Sequence, residues 1–163
     1  MNQLQIAHID YSIATKSLDI YTIGCNGKCQ GCYNSELKDW NIQGLTKEFT
    51  LQRLSELNSK FGKMIDKIII VGGDPVDAWF NTDGLKELLA GIKNKVGKPI
   101  FLFTRHSLED IPAELKNAVD YIKTGAYISE LTTDDNIQFG IKLATSNQKI
   151  YRMEKQNEYS KYN

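Results

Sequence analysis

Positions 67–75 read Lys-Ile-Ile-Ile-Val-Gly-Gly-Asp-Pro, and this stretch decides the fold. Its run of branched apolar residues does not alternate with polar ones, which is typical of a central parallel strand covered on both faces. The two glycines end the strand, and Asp74 and Pro75 fit the N-cap and the first position of a following helix. The stretch therefore predicts a strand-to-helix turn at the carboxyl end of a buried strand.

Further helices and strands are predicted on both sides of this turn. Apolar residues recur at helical spacing after Thr50, a candidate N-cap, and again between Thr82, a second candidate N-cap, and Gly97, a candidate stop. Ser107, followed by Asp110, begins a short helix that runs through about residue 118. The predicted strands are residues 18–23, 67–71, 100–103 and 119–122. A final strand begins near Lys149.

This alternation of strands and helices predicts the fold class and the place of the site. It is typical of an α/β fold with a parallel sheet and right-handed crossovers, either open or curled into part of a barrel. The 163 residues form one predicted domain, 1–163, with 154–163 as a frayed tail, and are too few for a complete eight-stranded barrel. Ligands in such folds bind at the carboxyl ends of the strands.

The composition is that of an ordinary water-soluble domain. Hydrophobic residues make up 41% and charged residues 25% of the chain, and 20 basic residues balance 20 acidic ones. A formal net charge of zero gives no reason to expect nucleic acid or an anionic membrane as a partner. The early residues also lack the long apolar run of a signal or membrane helix. We therefore expect a cytoplasmic protein.

The three cysteines, Cys25, Cys29 and Cys32, are confined to one short loop after the first predicted strand. This crowding does not fit a disulfide framework, which needs pairs spread along the chain. Three thiolates can hold a 4Fe-4S cluster and leave one iron open to another ligand. A zinc site is the alternative, with His8 or His106 as the only imidazole for the fourth position.

The cysteine spacing resembles the signature of the radical S-adenosyl-L-methionine (SAM) enzymes, in which the open iron binds the amino and carboxylate groups of SAM. Glycine before Cys32 and Tyr33-Asn34 after it are similar to the form found in the activating proteins of anaerobic ribonucleotide reductases. Positions 72–75 resemble the glycine-glycine-acid segment of that family, and positions 120–125 and 146–150 also agree with it.

The resemblance implies a partial, incomplete TIM-type barrel of the radical SAM kind, with the cluster on Cys25, Cys29 and Cys32. It also implies that Gly72 and Gly73 allow close approach of SAM. Each glycine equally fits an ordinary tight turn.

Four further side chains are candidate SAM contacts, and each has a structural reading beside the functional one. Asp74 offers a carboxylate to the ammonium group of SAM, caps a helix, or does both. Tyr33 shields the cluster, touches adenine, or only packs. Thr104 bonds SAM or is an ordinary turn residue, and Lys123 meets the carboxylate of SAM or only faces solvent. No catalytic side chain is expected beyond the cluster and SAM.

The resemblance implies that SAM is cleaved reductively and that a glycyl radical is formed on the large subunit of an anaerobic ribonucleotide reductase. A one-electron donor such as flavodoxin or ferredoxin is the second implied partner. A chain too short to close a barrel also predicts that a protein partner covers the open side of the sheet. Three alternatives remain: another radical SAM enzyme (an activase of a different glycyl radical enzyme or a deazapurine synthase), an iron-sulfur electron carrier, or a non-catalytic zinc-binding module.

Overall fold

The computed structural model describes residues 2–28, 32 and 35–154, which form a mixed α/β fold. The strands are β1 (Asn2–Gln3), β2 (Ile6–Ser12), β3 (Ser17–Thr22), β4 (Lys67–Gly72), β5 (Thr82–Asp83), β6 (Ile100–Phe103), β7 (Tyr121–Thr124), β8 (Ile137–Gln138), β9 (Ile141–Lys142) and β10 (Lys149–Arg152). The helices are α1 (Lys47–Phe61), α2 (Pro75–Asn81), α3 (Leu85–Lys95) and α4 (Ala113–Asn117).

Six strands form the main sheet, in the order β10-β7-β6-β4-β3-β2. The four central strands are parallel, as the alternation of strands and helices predicts, and the two edge strands are antiparallel to their neighbours. In the described part of the chain the edge strands β2 and β10 are not paired with each other, so this sheet is open. The α/β class is confirmed, and the curl into part of a barrel stays a prediction.

The central strand β4 is buried on both faces, as its unbroken apolar run predicts. Ile68 and Ile70 are fully buried in the larger core, to which the helices contribute Leu54 and Leu88. Ile69, which is 4% exposed, points into a smaller core on the opposite face. That smaller core also contains Phe101, Ile141, Leu143 and Ile150. The site-bearing edge of the sheet is therefore held between two packed layers.

The predicted N-cap of α1, Thr50, is wrong. The helix begins at Lys47, and the cap is Thr46, whose hydroxyl oxygen accepts the N–H of Phe49. Thr50 is buried one turn inside the helix and donates its hydroxyl to the carbonyl of Thr46. Two threonines four residues apart both precede apolar positions, so periodicity alone did not distinguish the cap from the first buried turn.

The predicted N-cap of α3, Thr82, is also wrong, whereas the predicted stop at Gly97 is confirmed. Thr82 lies in β5, which pairs with β1, and its hydroxyl closes α2 by donating to Ala78. Gly84 caps α3 at a φ of 122°, where a glycine is needed. Gly97 ends the helix at a φ of 70°, and its N–H donates to Ile92.

The last predicted helix and strand differ from the structure in their bounds. The residues after Ser107 form a 3₁₀ turn at Leu108–Asp110 and then α4, not one helix. The strand predicted at 119–122 is β7, two residues later, because Val119 is buried in the helical core before strand pairing begins. The final strand, β10, is confirmed, and residues 155–163 of the predicted tail lie outside the described residues.

The edge strand β2 was not predicted. Only its first residue, Ile6, is fully buried, while three of its other six side chains are exposed and three are half-buried, so the strand has little apolar pattern. Within the described residues, no helix combines the length and apolarity needed to cross a membrane.

Candidate active site

The carboxyl ends of β3, β4, β6 and β7 surround a cleft of about 200 Å³. Seven of the residues singled out from the sequence line it, although they are spread over almost 100 positions. These are Cys25, Cys32, Gly72, Gly73, Asp74, Thr104 and Lys123. The other lining residues are Val71, Phe103, Arg105, Gly125 and Tyr127. The remaining two predicted residues, Cys29 and Tyr33, lie outside the described residues.

The loop after β3 places Cys25 at the cleft. Gly24 has a φ of 106°, and a side chain there would overlap the ring of Trp40. A backbone hydrogen bond from the N–H of Gly24 to the carbonyl of Leu37 (2.7 Å) holds the start of the loop, and the N–H of Gly27 donates to the sulfur of Cys25 at 3.2 Å. Cys25 and Cys32 both carry free, half-buried thiols. They are therefore available as ligands.

The glycine pair places the end of β4 against this loop. Gly72 has a φ of 119°, and a Cβ on it would overlap the backbone of Thr22, while a Cβ on Gly73 would overlap the carbonyl of Gly24. Hydrogen bonds of the next residues hold both close approaches. The N–H of Gly73 donates to the carbonyl of Thr22 (2.9 Å), and the N–H of Asp74 donates to the carbonyl of Gly24 (2.8 Å). The end of β3 thus already requires a glycine at position 72, and the cysteine loop requires one at position 73. Their predicted approach to SAM stays a prediction.

Asp74 connects the ends of β4 and β6. It is only 2% exposed, and as the predicted N-cap of α2 it accepts the N–H of Val76 at Oδ1. The same oxygen accepts the hydroxyl of Thr104 at 2.7 Å, and Oδ2 accepts the N–H of Arg105 at 3.0 Å. Three donors occupy three of about four lone pairs, so one on Oδ2 is left for a ligand in the cleft.

Asp77, which was not predicted from the sequence, forms a polar cluster with Arg105 and His106. The Nη2 group of Arg105 contacts both oxygens of Asp77, at 2.9 and 3.2 Å, and His106 Nε2 lies 2.9 Å from Oδ1. The N–H of Asn26 donates to Oδ2, which ties the cluster to the cysteine loop. Burial would raise the pKa of Asp77, but these hydrogen bonds outweigh it and lower the pKa. Its one signal was position, one turn after Asp74.

Opposing effects act on the thiol of Cys25. Burial raises its pKa most, and the carboxylates of Asp74 and Asp77 raise it further, while the N–H of Gly27 and the side chain of Arg105 lower it. The Cys25 sulfur and the two carboxylates have ligand atoms within 4.8 Å of one another, as a metal site requires. Arg105 already pairs with the carboxylate of Asp77, and Asp74 already accepts three hydrogen bonds, so this trio does not favour a mononuclear cation.

Lys123 forms the opposite wall of the cleft. The residue is only 9% exposed, and its ammonium donates to the carbonyls of Thr104 and Gly125, both at 3.2 Å. The ammonium also lies 5.6 Å from the ring centroid of Phe103. The prediction that it only faces solvent is therefore wrong. The cleft has a carboxylate, Asp74, and an ammonium, Lys123, on its walls.

Both histidines contact carboxylates. His106 Nε2 pairs with Asp77, and His8 stacks on Tyr21 and lies 3.5 Å from Asp10. Since a zinc-ligating histidine commonly pairs its other ring nitrogen with a carboxylate, these contacts do not decide the zinc alternative.

The stretch at 146–150 contacts the turn after β7, which forms part of the cleft wall. Asn147 donates to the carbonyl of Ala126, and Gln148 donates to that of Gly125. The Gln148 side chain also accepts the N–H groups of Ala144 and Thr145. These side chains brace the turn after β7, which is a structural task.

Comparison with known proteins adds a family to this geometry. The family described as "4Fe-4S single cluster domain" matches residues 16–151. A protein named anaerobic ribonucleoside-triphosphate reductase-activating protein, from Enterobacteria phage T4, is 33% identical over 117 residues, covering 70% of this chain and 72% of its own. A protein of the same name from Escherichia coli K12 is 28% identical over 141 residues, covering 82% and 86%.

Proposed function

The chain belongs to the 4Fe-4S single cluster domain family and to the family of the anaerobic ribonucleoside-triphosphate reductase-activating proteins, and from this premise we propose that it is a radical SAM activase. Its substrate in this proposal is the large subunit of an anaerobic ribonucleotide reductase. The observation that carries the proposal is the shared cleft, in which two cysteines of the triplet meet the glycine-glycine-acid segment, Thr104 and Lys123.

The described residues fit a cluster. Cys25 and Cys32 have free thiols on one cleft, and Cys29 is three positions before Cys32 in the same loop. Soft thiolates are the ligands that iron-sulfur clusters prefer, and three of them leave one iron open. The buried Nε of Arg105 has no hydrogen-bond partner within the described ranges, so this edge of the cleft also offers a donor to sulfur.

A cluster held by Cys25, Cys29 and Cys32 would supply the electron for reductive cleavage of bound SAM to methionine and a 5′-deoxyadenosyl group, and the radical chemistry of these two cofactors would be directed at a glycine Cα–H of the reductase. The protein's own share is binding and shielding. No side chain of this chain is assigned a proton-transfer role.

Opposite charges on the cleft walls support the binding of SAM. The methionine part of SAM carries an ammonium and a carboxylate, and the cleft has Asp74 on one wall and Lys123 on another. In the proposal Asp74 faces the ammonium, and Lys123 faces the carboxylate. Thr104 donates its own proton to Asp74, so it would meet SAM through a lone pair of its oxygen.

The open sheet supports a protein substrate. Val71 and Phe103, which line the cleft, are only partly covered by the smaller core, and no third layer of helices encloses that face within the described residues. A reactive radical needs water and oxygen excluded from its surroundings. A loop of the reductase would complete this enclosure, with a flavodoxin or ferredoxin as electron donor in the cytoplasm.

The cluster and the cleavage of SAM are tested together. Protein reconstituted anaerobically should take up about four irons per chain, absorb as an iron-sulfur protein, and form 5′-deoxyadenosine from SAM and dithionite. Cys25→Ser, Cys29→Ser and Cys32→Ser should each lose both properties, whereas Lys86→Gln, which removes only an exposed ion pair with Glu114, should keep them. Near-stoichiometric zinc without iron, or iron without 5′-deoxyadenosine, would contradict the proposal.

The protein substrate needs a separate test. Mixing the reduced, SAM-loaded protein with anaerobic ribonucleotide reductase should produce a glycyl radical doublet in the electron paramagnetic resonance spectrum. 5′-Deoxyadenosine formed without this signal would support a radical SAM enzyme with another substrate.

A further inference from the structure

Arg105 carries a buried N–H group that faces the cysteine loop. Its Nε atom has no hydrogen-bond partner among residues 2–28, 32 and 35–154, and the nearby carboxylate oxygen of Asp74 is 3.7 Å away. A buried N–H without a partner is costly and therefore rare in folded proteins. Such an atom at a ligand site indicates a partner that comes within hydrogen-bond distance only when the site is loaded.

The missing partner is on the side of Cys25. The point where a Cβ of Gly27 would lie is 2.5 Å from Arg105 Nε and 3.2 Å from the Cys25 sulfur. Both atoms therefore border the same small gap, which only a glycine at position 27 leaves free. A sulfur is a suitable acceptor, because a metal-bound thiolate carries negative charge and lone pairs.

The rest of the guanidinium is held in place. Its Nη2 group donates to both carboxylate oxygens of Asp77, and the backbone N–H of Arg105 donates to the carboxylate of Asp74. Asp77 is in turn fixed by Asn26 and His106. Since the outer edge of the planar group is fixed this way, the direction of the Nε–H bond is fixed as well.

We propose that Arg105 is a positioning residue that donates its Nε–H to the sulfur of Cys25 and raises the reduction potential of the bound cluster. The inference rests on the proposed function, since it needs the cluster. A donor to a ligand sulfur stabilises the more negative, reduced cluster, and so does a nearby positive charge. Arg105 also offsets the two carboxylates of Asp74 and Asp77, which disfavour added negative charge.

The competing explanation is that Arg105 only braces the loop through Asp77. The two explanations differ in the sign of a second substitution. Asp77→Asn keeps an oxygen for the N–H of Asn26 but removes a negative charge, so it should make the midpoint potential less negative. Arg105→Gln removes a donor and a positive charge, so it should make the potential more negative. Loss of a brace would open the loop in both variants and shift both potentials in the same direction.

The test is a redox titration of the reconstituted full-length protein without SAM, followed by electron paramagnetic resonance of the reduced cluster. Arg105→Gln should lower the ratio of reduced to oxidised cluster about tenfold at a fixed ambient potential, which is ~59 mV for one electron. Arg105→Lys keeps the charge but not the Nε–H and should shift the potential by less. Lys86→Gln removes a distant cation and should match the parent.

Each outcome decides the inference. Opposite shifts for Arg105→Gln and Asp77→Asn at full iron content support it. Equal potentials in Arg105→Gln and the parent, or shifts of the same sign, overturn it and leave the proposed function intact. If Arg105→Gln binds no cluster, Arg105→Lys decides, and a potential equal to that of the parent overturns the inference. A parent protein without iron would overturn the proposed function as well.

Discussion

The buried hydrogen bond from Thr104 to Asp74 allows a quantitative test of how the cleft is held together. Both residues are 2% exposed, and the hydroxyl donates to Oδ1 of Asp74 at 2.7 Å. The Thr104 oxygen also accepts the N–H of His106 at 3.1 Å. Thr104→Val keeps the shape of the side chain and removes both interactions.

The expected cost follows from these two bonds. A hydrogen bond to a charged group contributes about 1.5–3 kcal/mol, and a neutral one about 0.5–1.5 kcal/mol. The free energy of unfolding should therefore fall by about 2–4 kcal/mol in Thr104→Val. Thr104→Ser keeps the hydroxyl and loses one buried methyl group, so it should cost only about 1 kcal/mol.

Urea unfolding of the cluster-free protein, followed by far-ultraviolet circular dichroism, measures both values. Thr104→Val and the parent have similar side-chain volumes, so the difference between them isolates the hydroxyl, and Thr104→Ser measures the cost of the methyl group alone. If the free energy of unfolding of Thr104→Val lies within about 0.5 kcal/mol of the parent value, or falls by less than that of Thr104→Ser, Asp74 does not depend on this donor and the reasoning is refuted.

Three further predictions concern other parts of the molecule. Gly73→Ala should lower the free energy of unfolding in urea by about 1–3 kcal/mol and reduce the iron content after reconstitution, because its Cβ would overlap the backbone of Gly24. The control Gly62→Ala, where the nearest atom is 3.4 Å away, should change neither property. Equal behaviour of the two variants would contradict this explanation. Asp19→Asn should raise the melting temperature at pH 7, because burial, more than any other effect, raises the pKa of Asp19 in the folded state and its ionised form is therefore destabilising there. That advantage should vanish as the pH falls below the ordinary value of 3.8, and a lower melting temperature at pH 7 would show that the sign is wrong. Lys123→Met should weaken SAM binding about tenfold in calorimetric titration of the cluster-loaded protein, and an unchanged affinity would remove Lys123 from the SAM site.

Much of the sheet and part of the site could be predicted, because their signals are local. The unbroken apolar run of β4 indicated burial on both faces. Asp74 and Pro75 are the N-cap and the first residue of α2, as their types and order predicted. The two wrong caps, Thr50 and Thr82, are threonines whose hydroxyls bond to a carbonyl four residues earlier, a role that leaves no mark in the sequence. The edge strand β2 was missed because a strand with only one fully buried residue in seven needs little apolar pattern.

The sequence by itself determined the ligand chemistry and the order of strands and helices. Three cysteines within eight positions must lie close together whatever the rest of the chain does, and a strand without polar alternation must be covered on both faces. These are consequences of chain connectivity and of the periodicity of backbone structure.

Only the tertiary structure decided which polar groups meet at the cleft. Arg105 reaches Asp77 across 28 positions because β4 and β6 are parallel neighbours and their carboxyl ends adjoin. The same packing showed that Gly72 makes room for the end of β3 at Thr22 and that Gly73 makes room for the cysteine loop at Gly24. Such contacts depend on the pairing of distant strand ends, for which the individual residues carry no periodic signal.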